Sequence, residues 1–208
     1  MNSKEMAPTA LIFAAGKGKR YRDLKQLAKI KGKPVIQHVI DTVQRIDWKF
    51  EPVLVLGYKS DRIRDSIDTS RVKVAENPQF ARGLSTSMKT GVKACSSETT
   101  GYLFFLADMP LISPEDIRAV LAGASSGYSL VAPSYHGTRG FPVYIDRCWK
   151  EDLLDVTGDM GAREIIKKNQ GKLSLVSTEN RGVIMDIDEK EDLKKVKTYI
   201  TEGSEIGI

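Results

Sequence analysis

An α/β fold with a mostly parallel sheet is the class this sequence predicts, on three observations. Short apolar runs alternate with helical patterns along the whole 208-residue chain. Several of those runs, such as Tyr102–Leu106, are apolar without polar alternation, as strands covered on both faces must be. The pattern changes after Pro133, where a turn-rich stretch marks an antiparallel excursion from the parallel order.

Taken in order, strands are expected at Ala10–Ala14, Val53–Leu56, Val72–Ala75, Tyr102–Leu106 and Leu130–Ala132. Pro34 opens a helix whose apolar stripe is Val35, Ile36, Val39, Ile40, Val43 and Ile46, and shorter helices fit Ser60–Ile67 and Leu84–Cys95. Ser113 is placed as the N-cap of another, with Pro114 at its first position. Tyr135–Gly140 reads as turn and leads into an antiparallel strand at Phe141–Ile145. Helices at Arg147–Leu154 and Gly161–Asn169, a strand at Leu173–Ser177 and a helix at Glu189–Ile200 complete the chain. Residues 1–208 read as a single domain, with 1–8 and 202–208 as flexible tails.

In open α/β sheets ligands sit beyond the carboxyl ends of strands, so chemistry is sought just after each strand. The first strand feeds into Ala14-Ala15-Gly16-Lys17-Gly18-Lys19-Arg20, followed by Lys25. Small residues there let backbone N–H groups approach a ligand, and the cations neutralise it, which suits phosphate. Eight Lys or Arg residues lie between Lys17 and Lys33 against one acid, Asp23, so the +5 net charge is concentrated at this end. The spacing is neither a dinucleotide fingerprint, since Tyr21 stands where a third Gly is needed, nor a Walker loop. After the Tyr102–Leu106 strand comes Asp108, with Pro110 stopping the strand; it fits a turn aspartate or a metal ligand equally. Asp186-Ile187-Asp188-Glu189 precedes the last helix, where Asp188 and Glu191 have the spacing of a capping box. A basic loop for a triphosphate with one or two carboxylates for Mg²⁺ is equipment for displacement at a phosphoryl group.

Composition bounds the partners. At 23.1 kDa, with 41% hydrophobic and 28% charged residues, the chain is of ordinary globular make-up. No apolar run nears the roughly 20 residues that span a bilayer, and the N-terminus lacks a secretory apolar segment, so a cytoplasmic protein without membrane contact is expected. A pI near 9.1 raises nucleic acid as a partner, but aromatic stacking residues are not interleaved with the cations. Cys95 and Cys148 have no metal-ligand spacing and are expected as buried free thiols. Of the two histidines, His38 reads as a helix packing residue rather than a catalytic base.

The stretch Ala14-Ala15-Gly16-x-Gly18-x-Arg20, with Lys25 and then Gly32-Lys33-Pro34, resembles the signature of the nucleotidyltransferases of molybdenum cofactor maturation, the MobA-like NTP transferases. Asn77-Pro78, Gly83–Ser87, Leu106–Leu111, Gly140-Phe141-Pro142, Gly158–Arg163 and Asp186–Asp188 follow in matching order. The branch most similar is the CTP:molybdopterin cytidylyltransferases. This resemblance implies a Rossmann-like, three-layer nucleotide-diphospho-sugar transferase fold and an Mg²⁺-dependent transfer of CMP from CTP to molybdopterin or a similar phosphate acceptor. By similarity Arg20, Lys25 and Asp108 are catalytic. Ala14, Ala15, Gly16, Lys17, Gly18, Lys19, Asn77, Gly83, Ser85 and Ser87 would hold the nucleotide. Gly140, Phe141, Pro142, Asp159 and Arg163 would line the acceptor side, and Asp108 with Asp186 and Asp188 the metal. A molybdenum oxidoreductase would receive the product. The chain departs from the pattern at Tyr21-Arg22, where relatives usually have Met-Gly, and at Phe141, where they often have His. Other readings are another NTP, another small phosphate acceptor, or a nucleotide-binding protein that delivers cofactor without catalysis.

Overall fold

The computed structural model describes residues 6–205 apart from 19, 22 and 160, with backbone only from 202 onward. Its strands are β1 (Thr9–Phe13), β2 (Lys29–Ile30), β3 (Lys33–Pro34), β4 (Val53–Leu56), β5 (Lys73–Glu76), β6 (Gly101–Leu106), β7 (Leu130–Tyr135), β8 (Thr138–Arg139), β9 (Val143–Asp146) and β10 (Leu173–Ser177). The helices are α1 (Val35–Val43), α2 (Ser60–Arg64), α3 (Leu84–Ala94), α4 (Pro114–Ser125), α5 (Lys150–Asp155), α6 (Ala162–Lys168) and α7 (Lys190–Glu205).

One sheet runs in the order β10-β7-β9-β6-β1-β4-β5, with β8 added to β7, while β2 and β3 form a separate small hairpin. All neighbours on the main path pair in parallel except β9, which lies antiparallel between β6 and β7. The expected excursion is therefore an insertion into the middle of the sheet. Alternation along each strand feeds two cores. Ala10, Ile12, Leu54, Leu56 and Phe105 pack against α1, α2 and α4 through Ile36, Ile40, Ile63, Ile117 and Val120. Leu11, Val53, Val55, Phe104 and Ile145 pack on the other face against α3, α5 and α6 through Met88, Val92, Leu153 and Ile166. Tyr21, Ile30, Val35, Ile187 and Val196 form a third cluster that seats α7 beside the β2–β3 hairpin.

Local chemistry explains most boundaries. Ser113 and Asp116 form a reciprocal capping box that starts α4. The helix expected over Ser60–Ile67 ends at Arg64, because Ser66 and Ile67 N–H groups turn back to Ile63 and Arg64. Strand β7 continues past its expected end at Ala132, since Pro133 keeps a working carbonyl that accepts from Gly140 N at 2.8 Å. Of the expected tails, residues 1–5 and 206–208 lie outside the described residues. Ala7, however, is buried, its N–H donating to Thr100 Oγ1 and its carbonyl accepting from Thr100 N, and α7 runs to Glu205. Both cysteines are free, but Cys95 is only half-buried and Cys148 is exposed rather than buried, because its 3-10 turn caps on Asp146 and faces outward. Partial burial and the Asp146 carboxylate push its thiol up to about 11, so it is an unreactive thiol.

Gly140 is the tightest backbone approach in the fold. A Cβ there would lie 2.2 Å from the carbonyl oxygen of Val183, while the next residue, Phe141, donates its N–H to that oxygen at 2.8 Å. Gly140→Ala is expected to lower unfolding free energy by about 3 kcal/mol, because the backbone obstacle cannot turn aside. Urea unfolding followed by circular dichroism would measure it, and an unchanged midpoint would show that the β8–β9 corner is free to shift.

Candidate active site

The carboxyl ends of β1 and β6 open onto a cleft of about 470 Å³. Its floor is the turn after β1. Ala14 N donates to Val55 O, and the Ala15 carbonyl accepts from Tyr58 N, so the turn is tied to β4 and the residues beyond it. Gly18 has φ +57, a left-handed conformation that starts the next turn, with Tyr21 N donating to Gly18 O. At Gly16 an added Cβ would meet only open space, so its absence leaves room over the loop.

Lys25 and Asp108 are the centre of the site. Lys25 Nζ lies 2.5 Å from Asp108 Oδ2 and 2.6 Å from Asp188 Oδ1, and both the Lys25 and Asp108 side chains are nearly buried, at 13% and 14% exposure. Arg20, much more exposed, also pairs with Asp188. Burial alone would lower the Lys25 pKa, but the two carboxylates outweigh it and hold the ammonium more firmly protonated than usual. The second oxygen of Asp108, Oδ1, is buried with no hydrogen-bond partner among the described residues. A carboxylate oxygen left this way is costly and has capacity for a further donor or cation.

The Asp186–Asp188 segment reaches this point by a chain of contacts that starts in α4. Buried Asp116 accepts from Thr178 Oγ1 at 2.8 Å and Asn180 Nδ2 at 2.6 Å, and Asn180 also bonds Leu111 O. Ile187 N then donates to Asp108 O at 3.0 Å. Asp188 does not cap α7, contrary to the capping-box reading: its carboxylate is engaged by Lys25 and Arg20. Asp192 does the capping, accepting from Asp188 N and Glu189 N. Asp186 is exposed, yet partial desolvation and the neighbouring Asp108 and Asp188 charges raise its pKa above the usual carboxylate range. A group protonated more readily when folded stabilises the fold at low pH and loses that contribution as pH rises through its raised value. Asp186→Asn is thus expected to raise the melting temperature at pH 7 in metal-free buffer, with a smaller gain near pH 4. An equal gain at both pH values would mean that Asp186 feels no repulsion.

Two helix-side features shape the opposite wall. The α3 N-terminus has no side-chain cap of its own; Asp159 Oδ1 accepts from Leu84 N at 3.2 Å, and Gly158 O accepts from Ser85 N at 3.0 Å. Lys17 Nζ lies over the rings of Tyr58 and Phe80, at 5.9 and 5.7 Å.

The sequence-expected residues divide by place. Ala14, Ala15, Gly16, Lys17, Gly18, Arg20, Lys25, Gly83, Ser87, Asp108, Asp159 and Asp188 all line the cleft. Lys19 lies outside the described residues. Asn77 and Ser85 line a neighbouring cavity instead. Asn77 spends its amide on Thr86 and Ser87, at 2.9 Å each, and so acts on the cleft through Ser87. Phe141 and Arg163 line a small apolar pocket of about 60 Å³, which shares Phe13, Leu84 and Leu106 with the cleft. Gly140 and the cis-bonded Pro142 line neither and shape the chain path into β9. Among the described residues, no three His, Cys, Asp or Glu side chains are gathered as a ready metal site; Asp108 and Asp188 converge on Lys25 instead.

Gln26 is a site residue that sequence reading missed. It is 3% exposed, and its Nε2 bonds Ala14 O at 3.3 Å and Gly16 O at 3.2 Å, bracing the loop from beneath; its Oε1 is buried and has no partner among the described residues. No sequence signal marks it beyond adjacency to Lys25. Gln26→Met is expected to weaken nucleotide binding about tenfold while leaving the protein folded, as two loop carbonyls lose their donor. Calorimetry would measure this, and unchanged affinity would show that the loop holds its shape alone.

The chain is similar to several known proteins. Molybdenum cofactor cytidylyltransferase of Escherichia coli K12 is 26% identical over 152 residues, 72% of this chain and 76% of its own length. Nicotine blue oxidoreductase of Paenarthrobacter nicotinovorans is 24% identical over 196 residues, 90% and 95% of the two chains. The bifunctional protein GlmU of Exiguobacterium sp. is 30% identical over 115 residues, and the match spans 54% of this chain but only a quarter of that longer protein, 25%. Among solved structures, Rv0371c of Mycobacterium tuberculosis H37Rv in complex with manganese superimposes with a TM-score of 0.81 at 18% identity, covering 93% of this chain and 99% of that one. The sheet and its helix layers are those of the nucleotide-diphospho-sugar transferase fold. Because the family model of the MobA-like NTP transferase domain matches residues 10–173, from β1 to the start of β10, the chain belongs to the MobA-like NTP transferases, a family of nucleotidyltransferases.

Proposed function

We propose that this protein transfers CMP from CTP to the terminal phosphate of molybdopterin or a similar small phosphate acceptor, releasing pyrophosphate. The observation that carries this reading is the convergence of Asp108 and Asp188 on Lys25 at the mouth of the basic loop after β1. The cytidylyltransferase among its relatives and the Ala14-Ala15-Gly16 form of the loop favour cytosine.

The chain's residues divide the work. Backbone N–H groups of Ala15–Gly18 with Lys17 and Arg20 receive the β- and γ-phosphates, and Lys25 neutralises charge as pyrophosphate departs. Ser87, held by Asn77, faces the ribose and base side. The acceptor approaches from the Phe141 and Arg163 side with its phosphate oxygen in line with the α-phosphorus. A phosphate monoester is already a competent nucleophile, so no general base is needed, and positioning with charge neutralisation supplies the rate. Asp108, with its unpartnered Oδ1, and Asp186 or Asp188 fit a divalent cation such as Mg²⁺. Such an ion, when bound, supplies charge neutralisation on the phosphates. A cytoplasmic setting and a molybdenum oxidoreductase as recipient accompany this reading.

Calorimetric titration with CTP, GTP, ATP and UTP, with and without Mg²⁺, tests it. Selective Mg²⁺-dependent CTP binding is expected. Preference for another base would redirect the reading to another NTP, and no nucleotide binding would overturn it.

A further inference from the structure

A second cavity, of about 390 Å³, lies behind the N-terminal turn of α3, and it differs from the active cleft in charge. The described residues of the cleft balance Lys17, Arg20 and Lys25 against Asp108, Asp159 and Asp188. Among the described residues, the second cavity is lined by Arg82, Lys89 and Lys93 with no Asp or Glu, and none of these three cations has an ion-pair partner. Between them lie hydroxyls. Thr90 spends its own on Thr86 O, whereas the hydroxyl of Ser85, a residue 3% exposed, lines the cavity and has no hydrogen-bond partner among the described residues. Cations without opposing acids around an uncommitted hydroxyl favour an anion.

Lys89 and Lys93 are four residues apart on α3, a rise of about 6 Å on the same face, and Arg82 precedes the helix. Two linked phosphoryl groups offer oxygens to all three cations at once, more than a single group does. We propose that this cavity is a second binding site, distinct from the nucleotide cleft, for a ligand carrying two linked phosphoryl groups.

The site is wired to the cleft by backbone. Thr157 and Gly158 line it, and Gly158 O holds Ser85 N; the next residue, Asp159, lines the cleft and holds Leu84 N. An anion on Ser85 and Lys89 therefore acts on the first turn of α3, one residue from Leu84 and two from Ser87 in the cleft wall.

The test uses pyrophosphate with Lys25→Ala protein, in which the nucleotide cleft is impaired, followed by amide nuclear magnetic resonance at 0.15 M NaCl. Saturable shifts are expected at Thr86, Thr90 and Thr157, with inorganic phosphate binding more weakly. Adding Lys89→Gln and Lys93→Gln should weaken these shifts about tenfold. The same two substitutions in the parent protein should leave CTP affinity unchanged, which separates this site from the nucleotide reading. Absence of shifts at the three threonines, or shifts unaltered by the paired substitution, would overturn the proposal; so would phosphate binding as tightly as pyrophosphate. ADP run beside pyrophosphate identifies the source. Tighter ADP binding assigns the site to a nucleotide, and equal binding assigns it to the free anion.

Discussion

Asp108→Asn is expected to fold as the parent does and to lose about a thousandfold in single-turnover nucleotidyl transfer. The substitution keeps an oxygen but removes the charge that the site is organised around. Asp108 sits one residue past Ala107, whose N–H is fastened to Phe13 O at 3.1 Å, so its position is set by pairing of β6 with β1 and not by its own charge. The backbone therefore stays in place while the phosphate-facing charge is lost. The measurement is quenched-flow turnover alongside a melting curve. Full turnover by folded Asp108→Asn protein would remove this residue from the proposed mechanism.

Lys25→Ala should act on both stability and binding. Removing the ammonium leaves the nearly buried Asp108 and the Asp188 carboxylate facing one another, with Asp186 adding to the repulsion. Loss of one member of such a buried cluster is expected to cost about 3 kcal/mol. Millimolar Mg²⁺ or Mn²⁺ should restore much of that, because a divalent cation can fill the place of the lysine; the parent, whose lysine competes for the same oxygens, should gain less. Thermal melts of both proteins with and without the ions make the comparison. Equal responses would show that the ions bind elsewhere.

The features legible in the sequence are those decided by neighbours along the chain. Apolar runs marked β1, β4, β6 and β10, and Ser113-Pro114 with Asp116 marked the start of α4. Lys25 and Asp108 stood out because strand ends are where ligands bind. What stayed hidden depends on contacts between distant segments. The place of β9 between β6 and β7 is chosen by the shape of a partly built sheet, and two-residue strands such as β2 carry no periodicity to read. Asp188 has the spacing of a cap, yet a lysine 163 residues earlier in the chain takes its carboxylate. Gln26 is an ordinary polar residue until two loop carbonyls are folded over it.

The insertion of β9 also dictates an order of assembly. Residues 9–106 carry every strand of the parallel group β5-β4-β1-β6, and without β9 that group ends in β6 as a bare edge of Gly101–Leu106, apolar on both faces. Its partner is not synthesised until residue 143, and β7, made earlier, must leave the intervening lane empty. A nascent chain therefore carries an open, sticky edge for some forty residues of synthesis, and a truncation before Val143 would keep that edge for good. In a protein of this topology, solubility of fragments should change abruptly at one short segment, Val143–Asp146, which carries none of the side chains proposed to handle phosphate.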